Sequence, residues 1–284
     1  MIIKENIIPV GNLEEDHFLE NEHKILPEDI IFFDLEHYVY KKPKCIGVFG
    51  ACIYNKEKNI LHVTQYMIEN KRESKDILNL ALRYFKDMKE NGKKAISTFS
   101  GNNDFTVINY LFNKYNISYN FETEFISIDI QKAYEKDMKT SIGLKKLEKI
   151  FDIDRQGEVI SGSNLAKTFH KVMKDNDYIK RMPREKIEKI LLYNEQDVVN
   201  LYYIYTNWKK YIKLTEEEEN KLDTEEKIDL NDEIDLEVDD EIDLELDKLT
   251  YDIKEAKNKN LKNKDNKKPK SKGKELKKDN IRQK

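Results

Sequence analysis

The residues with the clearest capacity for chemistry are two carboxylates at the end of an apolar run. Phe33-Asp34-Leu35-Glu36 closes the run IIFFDLE at residues 30–36. If the run forms a strand, alternation puts Asp34 and Glu36 on one face, about 7 Å apart. Two buried carboxylates at that distance repel each other and lose hydration, which a divalent cation relieves. Hard oxygen ligands favour Mg²⁺ or Mn²⁺ over Zn²⁺. The alternative is a strand that ends in surface polar residues.

A second fragment carries a tyrosine and an aspartate at helical spacing. In Tyr193-Asn194-Glu195-Gln196-Asp197 the first and last residues are four apart, so a helix directs both side chains the same way. A third candidate is Asp104, at the predicted start of a helix in the fragment SGNNDF. Taken singly, Tyr193 is also explained as a core residue, Asp197 as a solvated residue and Asp104 as a helix cap.

Hydrophobic periodicity predicts the elements that position these residues. Strands are predicted over residues 30–36, 45–54, 60–68, 94–99 and 124–130. Helices are predicted over 73–91, around Val107–Phe112, and over 142–151, 163–175 and from Pro183 to about Ile212. This order indicates an α/β fold with a five-stranded mixed sheet, three antiparallel strands followed by two parallel ones, flanked by helices.

Together and in this order, the three fragments resemble the three exonuclease motifs of the DEDD superfamily, whose domains are RNase H-like. FDLE corresponds to the first motif, Asp104 to the second and Tyr193-x-x-x-Asp197 to the third. The spacing of the third motif indicates the Tyr subtype, called DEDDy. In the His subtype the base lies five residues before the Asp, and that position here is Leu192.

The chain from about residue 28 to 212 is similar to the YprB-type RNase H-like family of bacteria. The similarity rests on Ile128-Asp129-Ile130, on GLKKLE at 143–148 and on YNEQDVVNL at 193–201. The second motif departs from the family pattern Tyr-Asn-Gly-x-x-Phe-Asp, in which the Asp comes four residues after the Gly. Here Asp104 comes three residues after Gly101, and Phe105 occupies the expected Asp position.

The resemblance implies a 3′–5′ exonuclease that hydrolyses phosphodiester bonds with two divalent metal ions, Mg²⁺ or Mn²⁺. Asp34 would bridge both ions, and Glu36 and Asp197 would hold the ion on the side of the attacking water. Asp104 would reach the other ion through water. Tyr193 would orient the attacking water by a hydrogen bond.

The implied substrate is single-stranded DNA or RNA, bound in a cationic groove lined with aromatic side chains. Lys145, Lys146 and Arg155 lie between the second and third motifs and are predicted to contact the strand. Two other functions remain open: a catalytically silent RNase H-like domain that binds nucleic acid or a protein partner, and an endonuclease of the same fold.

Charge divides the chain into unequal parts. The whole chain has 51 basic and 55 acidic residues; residues 214–284 hold 17 and 23 of them, which leaves 34 and 32 for residues 1–213. We predict a lead segment at 1–27, the RNase H-like domain at 28–213 and a disordered tail at 214–284. The tail is acidic over 216–252 and basic over 253–284. We expect it to contact partners through weak electrostatic interactions.

The two cysteines, Cys45 and Cys52, show no CxxC spacing and no histidine at metal-ligand spacing. This pattern predicts free thiols in a reducing, cytoplasmic compartment. No apolar stretch approaches the length of a membrane span, and the first residues lack the basic and apolar regions of a signal peptide. We therefore expect no membrane association.

Overall fold

A computed structural model of the chain describes residues 1–157 and 160–222, with side chains up to residue 212. The last helix, Arg184–Leu222, continues beyond residue 214, where the tail was predicted to begin. Residues 223–284, which hold most of the predicted acidic segment and all of the predicted basic one, lie outside the described residues.

The centre of the fold is one mixed sheet of six strands. Its strands in chain order are β1 (Ile2–Pro9), β2 (Ile30–Tyr40), β3 (Lys42–Asn55), β4 (Ile60–Met67), β5 (Ala95–Thr98) and β6 (Ile126–Asp129). In space the order is β1-β4-β3-β2-β5-β6. The pairs among β1, β4, β3 and β2 are antiparallel, whereas β2 with β5 and β5 with β6 are parallel.

The predicted number of five strands was wrong, because the lead segment supplies a sixth. All eight residues of β1 pair with β4, from Ile2 opposite Met67 to Pro9 opposite Ile60. Alternate β1 side chains are only half-buried, because β1 lies at the sheet edge. Such a short segment is a weak strand signal until its partner strand is known.

Seven α-helices lie in the part of the chain that the structure describes. They are α1 (Asp76–Glu90), α2 (Asn102–Lys114), α3 (Phe121–Glu124), α4 (Ile130–Met138), α5 (Leu144–Ile150), α6 (Gly162–Lys174) and α7 (Arg184–Leu222). The sequence prediction began this helical region at residue 142 and so omitted α4. Ile130 and Tyr134 of α4 are buried one turn apart, and the Asp129 carboxylate caps the helix by accepting from Gln131 N.

β2 separates two hydrophobic cores because its side chains alternate between the faces of the sheet. Ile31, Phe33 and Leu35 pack in a core with side chains of α1, α2 and α6. Ile30 and Phe32 pack on the opposite face, in a core with α4, α5 and the middle of α7. Each large apolar side chain buried in this way contributes about 1.5–3 kcal/mol.

The two cysteines are free and fully buried in β3. Cys45 belongs to the first core and Cys52 to the second, so they face opposite sides of the sheet. Burial raises the pKa of the Cys45 thiol to about 12, which keeps it protonated. Among the described helices, none combines the length and the apolar character that crossing a membrane requires.

Candidate metal centre

β2 delivers two carboxylates to the α7 side of the sheet. Ile30 and Phe32 occupy the second core, and the next two positions on the same face are Asp34 and Glu36. The pairing of β2 with β3 shifts register between Glu36 and His37. Such an irregularity bends a strand and re-aims the side chains beside it. The two carboxylates therefore stand at the last regular positions of β2.

α7 delivers the third carboxylate. Val198 and Leu201 are buried in the second core and hold this part of the helix against the sheet. Asp197 lies one residue before this anchor, and Tyr193 lies one turn earlier. The ligand oxygens of Asp34, Glu36 and Asp197 all lie within 4.8 Å of one another. We call these three residues the acidic cluster.

Burial and mutual repulsion make the cluster electrostatically costly. Burial raises the pKa of Asp34 from 3.8 to about 6, even though the Arg155 charge lowers it. The pKa of Glu36 is raised well above its ordinary value, first by burial and then by the charges of the neighbouring carboxylates. Burial and then the Asp34 charge also raise the pKa of Asp197 well above its ordinary value, despite the opposing effect of Arg155.

Asp104 is buried in the first turn of α2 and is 6% exposed. The turn before it is tight: Ser100 has a φ of 54°, and its N–H donates to Asp129 Oδ1 at 3.1 Å. A Cβ on Gly101 would lie 2.0 Å from Thr98 Oγ1, so this position requires glycine. Asp104 is not one of the three residues within 4.8 Å, but burial and then the cluster's charges raise its pKa well above the ordinary value.

Two buried amides fix the Asp34 carboxylate. Asn194 Nδ2 donates to Asp34 Oδ2 at 3.0 Å, and Gln65 Nε2 donates to Asn194 Oδ1 at 2.8 Å and to Leu191 O at 2.8 Å. In the sheet Asp34 is opposite Gly50, and Gly50 is opposite Gln65. The Asn194 amide therefore crosses above Gly50 to join the two flanking strands. A Cβ on Gly50 would lie 2.1 Å from Asn194 Oδ1.

Arg155 brings a positive charge into contact with the cluster. Its guanidinium donates to both oxygens of Glu148, at 2.7 Å from Nε and 2.5 Å from Nη2, and Nη2 also donates to Asp197 Oδ1. Asn200 Nδ2 donates to Glu148 Oε1 at 2.8 Å, so the buried Glu148 is well partnered. The Arg155 guanidinium lies 5.0 Å from the centroid of the Tyr193 ring.

A groove of about 550 Å³ opens beside Tyr193. It is lined by Gln131, Ser141, Ile142, Gly143, Leu144, Lys145, Lys146, Arg155 and Tyr193. Lys145 and Lys146 are exposed there, and Lys145 Nζ lies 5.9 Å from the Tyr193 ring centroid. Arg155 differs from them, because its side chain is only 8% exposed. The three cations predicted to contact a strand thus line one groove, two from its surface and one from its floor.

Sequence reasoning missed several residues that support the carboxylates and Arg155. These are Gly50, Gln65, Glu148, Asn194 and Asn200. Two of them carried a usable signal, because a polar residue on an apolar helix face is buried with a partner. Glu148 follows Leu147 on the face that ends at Phe151, and Asn194 lies between Ile190 and Val198 on the buried face of α7. For Gly50 and Gln65 no such signal exists, since strand register is fixed by distant contacts.

The cluster has the ligand chemistry of a divalent-cation site. Its three carboxylates are hard oxygen donors, and burial is the main cause that raises their pKa values, so their charged forms are poorly solvated without a cation. Ions such as Mg²⁺ and Mn²⁺ prefer these ligands. The acidic cluster fits such an ion. Asp104 lies close enough for the charges of Asp34 and Asp197 to raise its pKa.

Comparison with protein-family models identifies a match for most of the folded part of the chain. The family model of the RNase H superfamily matches residues 31–209, which is more than half of the chain. The matched range begins in β2 and ends within α7, so it contains all the acidic residues described above. Among curated proteins no match is found. The chain therefore belongs to the RNase H superfamily, and this membership supports a nuclease-type hydrolase that acts on nucleic acid.

Proposed function

We propose that the chain is a 3′–5′ exonuclease of the DEDDy type, similar to the YprB-type family, that hydrolyses single-stranded nucleic acid with two divalent metal ions. One observation carries the proposal: Asp34, Glu36 and Asp197 approach within 4.8 Å of one another, with Tyr193 one turn before Asp197. The catalytic domain spans residues 28–213, and the lead segment adds β1 to its sheet.

The carboxylates hold the ions in this proposal. Asp34, Glu36 and Asp197 are the direct ligands, and Asp104 assists from α2. When bound, two such ions activate a water molecule and stabilise the leaving oxygen of a phosphodiester. The chain's own contribution is to fix the ligands in advance, since Asn194 restrains the Asp34 carboxylate before any ion arrives.

Tyr193 acts as a hydrogen-bonding group rather than as a base. Burial raises the pKa of its phenol above the ordinary value of 10.0, and the charges of Asp197 and Glu36 raise it further. The hydroxyl therefore stays protonated at neutral pH. It orients the attacking water by a hydrogen bond, which requires no change in its own charge.

The strand binds in the groove beside Tyr193. Lys145 and Lys146 are exposed there to meet phosphates, and the Tyr193 ring offers a face for stacking. Arg155 adds positive charge from the floor of the groove. Residues 1–213 are nearly neutral overall, with 34 basic and 32 acidic residues, which favours short single strands over extended wrapping of duplexes.

A second candidate is a catalytically silent domain that binds nucleic acid or a protein partner. One observation favours it: Asp197, a proposed metal ligand, already forms an ion pair with Arg155. A carboxylate that is neutralised in this way has less need of a metal ion. The presence in one chain of all four acids and Tyr193 favours catalysis.

End-labelled substrates distinguish the candidates. DNA and RNA single strands with a 3′ label are incubated with the full-length chain and Mg²⁺ or Mn²⁺, beside a circular single strand. The proposal predicts early release of labelled mononucleotides and an intact circle. Cleavage of the circle would instead identify an endonuclease. A folded protein without activity on any substrate would identify the silent domain.

We expect the predicted tail to take part in binding partners and not in the reaction. We propose that the tail, residues 214–284, makes weak electrostatic contacts with nucleic acid or protein in the cytoplasm. Deleting the tail and measuring cleavage at two salt concentrations tests this, because a lost tether weakens binding most at low salt. An accelerated reaction at both salt concentrations would indicate that the tail inhibits instead.

A further inference from the structure

Arg155 is built into the acidic cluster rather than placed on its rim. Its side chain is 8% exposed, and it forms ion pairs with Glu148 and Asp197, themselves 3% and 6% exposed. The neighbouring backbone is fixed as well: Gln156 N donates to Gln196 Oε1 at 2.7 Å, and Gln196 Nε2 donates to Gln156 O at 3.1 Å. The guanidinium thus contacts α5 through Glu148 and α7 through Asp197, and the next residue is bound to α7 by its backbone.

The hydrogen bonds of Arg155 are incompletely satisfied in this position. Among the residues that the structure describes, Nη1 is buried without a hydrogen-bond partner, while Nε and Nη2 make the contacts with Glu148 and Asp197. A buried, unpaired N–H disfavours an arrangement. The contacts with the two carboxylates and the Tyr193 ring must therefore outweigh that cost, and they depend on the negative charge of the cluster.

Arg155 and a divalent cation need the same carboxylate. Nη2 donates to Asp197 Oδ1, and Asp197 is one of the three residues whose oxygens converge within 4.8 Å. Two cations at one carboxylate repel each other strongly in a poorly solvated site. Full coordination of a cation by Asp197 therefore opposes the contact with Arg155.

We propose that Arg155 is a positioning residue that serves as the built-in counter-cation of the acidic cluster, and that it must release Asp197 when a divalent cation binds. The inference rests on the proposed function, because it takes the cluster as the metal site. While no ion is bound, Arg155 holds Asp197 and the Tyr193 ring in place. It thereby lowers the affinity for the ion and offsets part of the repulsion among the carboxylates.

The test measures Mn²⁺ binding to the full-length chain, by titration calorimetry and by the paramagnetic resonance signal of free Mn²⁺. The main variant combines Arg155→Met with Glu148→Gln. It removes one positive and one negative charge, so the net charge is unchanged, and position 148 does not keep a buried carboxylate that has lost its cation. Position 148 still offers an oxygen to Asn200. Lys145→Met is the matched control, because Lys145 also lies over the Tyr193 ring but makes no described contact with Asp197.

We expect the double variant to bind Mn²⁺ at least about tenfold more tightly than the wild type, since a charge-assisted hydrogen bond no longer competes for Asp197. The control should stay within about threefold, the change expected of one exposed charge that solvent screens. Asp34→Asn should weaken binding in both backgrounds, which locates the ion at the cluster. Circular dichroism verifies that each variant is folded.

Equal or weaker Mn²⁺ binding by the folded double variant would overturn the role of Arg155 and leave the proposed nuclease intact. Tighter binding that also appears in Lys145→Met would overturn it too, because the effect would then be general electrostatics. Absence of Mn²⁺ binding in every variant, wild type included, would overturn the metal site and with it the proposed function.

Discussion

Gly50 is the position at which a single methyl group should disturb the candidate site most directly. It lies in β3 between Asp34 and Gln65, and the Asn194 amide crosses above it. In Gly50→Ala the new Cβ would lie 2.1 Å from Asn194 Oδ1, 2.7 Å from Cγ and 2.8 Å from Nδ2. Asn194 is fully buried, so its amide cannot turn away into solvent.

The expected cost has two parts. Forcing a methyl group into a packed interior costs about 1–3 kcal/mol. Displacing Asn194 also weakens its hydrogen bond to the Asp34 carboxylate, and hydrogen bonds to charged groups contribute about 1.5–3 kcal/mol. We therefore expect Gly50→Ala to lower the free energy of unfolding by about 3–5 kcal/mol, a large part of the roughly 5–15 kcal/mol typical of a domain.

Urea unfolding followed by circular dichroism measures this cost. Gly162→Ala is the matched control, because nothing lies within 4 Å of a Cβ there and the residue opens α6; it should change stability by less than about 1 kcal/mol. Adding Asn194→Ala should remove most of the clash, so the two substitutions should couple by about 2 kcal/mol. A Gly50→Ala chain as stable as the control would refute the reasoning.

Without divalent cations, the free energy of unfolding should fall as pH rises from about 4 to about 6. The folded chain holds the Asp34 proton with a pKa of about 6, against 3.8 ordinarily, and this stabilisation is lost on deprotonation. Urea titrations at several pH values should show that the free energy of unfolding of Asp34→Asn falls less steeply over this pH range. Mn²⁺ at a hundred times its dissociation constant should stabilise the wild type by about 2.7 kcal/mol; equal stabilisation of Asp34→Asn would contradict binding at the cluster. Replacing Lys145 and Lys146 together by Ala should reduce the slope of log binding constant against log salt concentration by about 1.4 for a single strand. Fluorescence anisotropy at several salt concentrations measures this slope, and an unchanged slope would mean that the strand binds elsewhere.

Local spacing was sufficient to predict the two elements that carry most of the site. The run that ends in Asp34 and Glu36 forms β2, and the i, i+4 pair Tyr193 and Asp197 lies on α7. Both patterns depend only on the repeat of one strand or one helix, which the sequence states directly. Asp104 fitted less well, being one residue out of register with the family pattern. The left-handed Ser100 forms part of the short turn that leads to it.

The contacts between distant segments could not be predicted in this way. Strand β1 needs β4, whose residues come more than fifty positions later, and its own pattern is that of a half-exposed edge. The support of Asp34 by Gln65 through Asn194 needs the register of three strands and the docking of a helix. The contact of Arg155 with Asp197 spans 42 positions. Such features follow from tertiary packing, which local periodicity does not encode.

The most direct test of the central claim is metal-dependent hydrolysis of a 3′-labelled single strand by wild type, Asp34→Asn and Asp197→Asn. Each substitution removes a negative charge from the cluster while keeping the shape of the side chain, and circular dichroism verifies the fold. We expect the wild type to release labelled mononucleotides with Mg²⁺ or Mn²⁺ and chelation to stop the reaction. Both variants should lose at least about 100-fold in rate, about 2.7 kcal/mol of transition-state stabilisation. Full activity in both folded variants would contradict it.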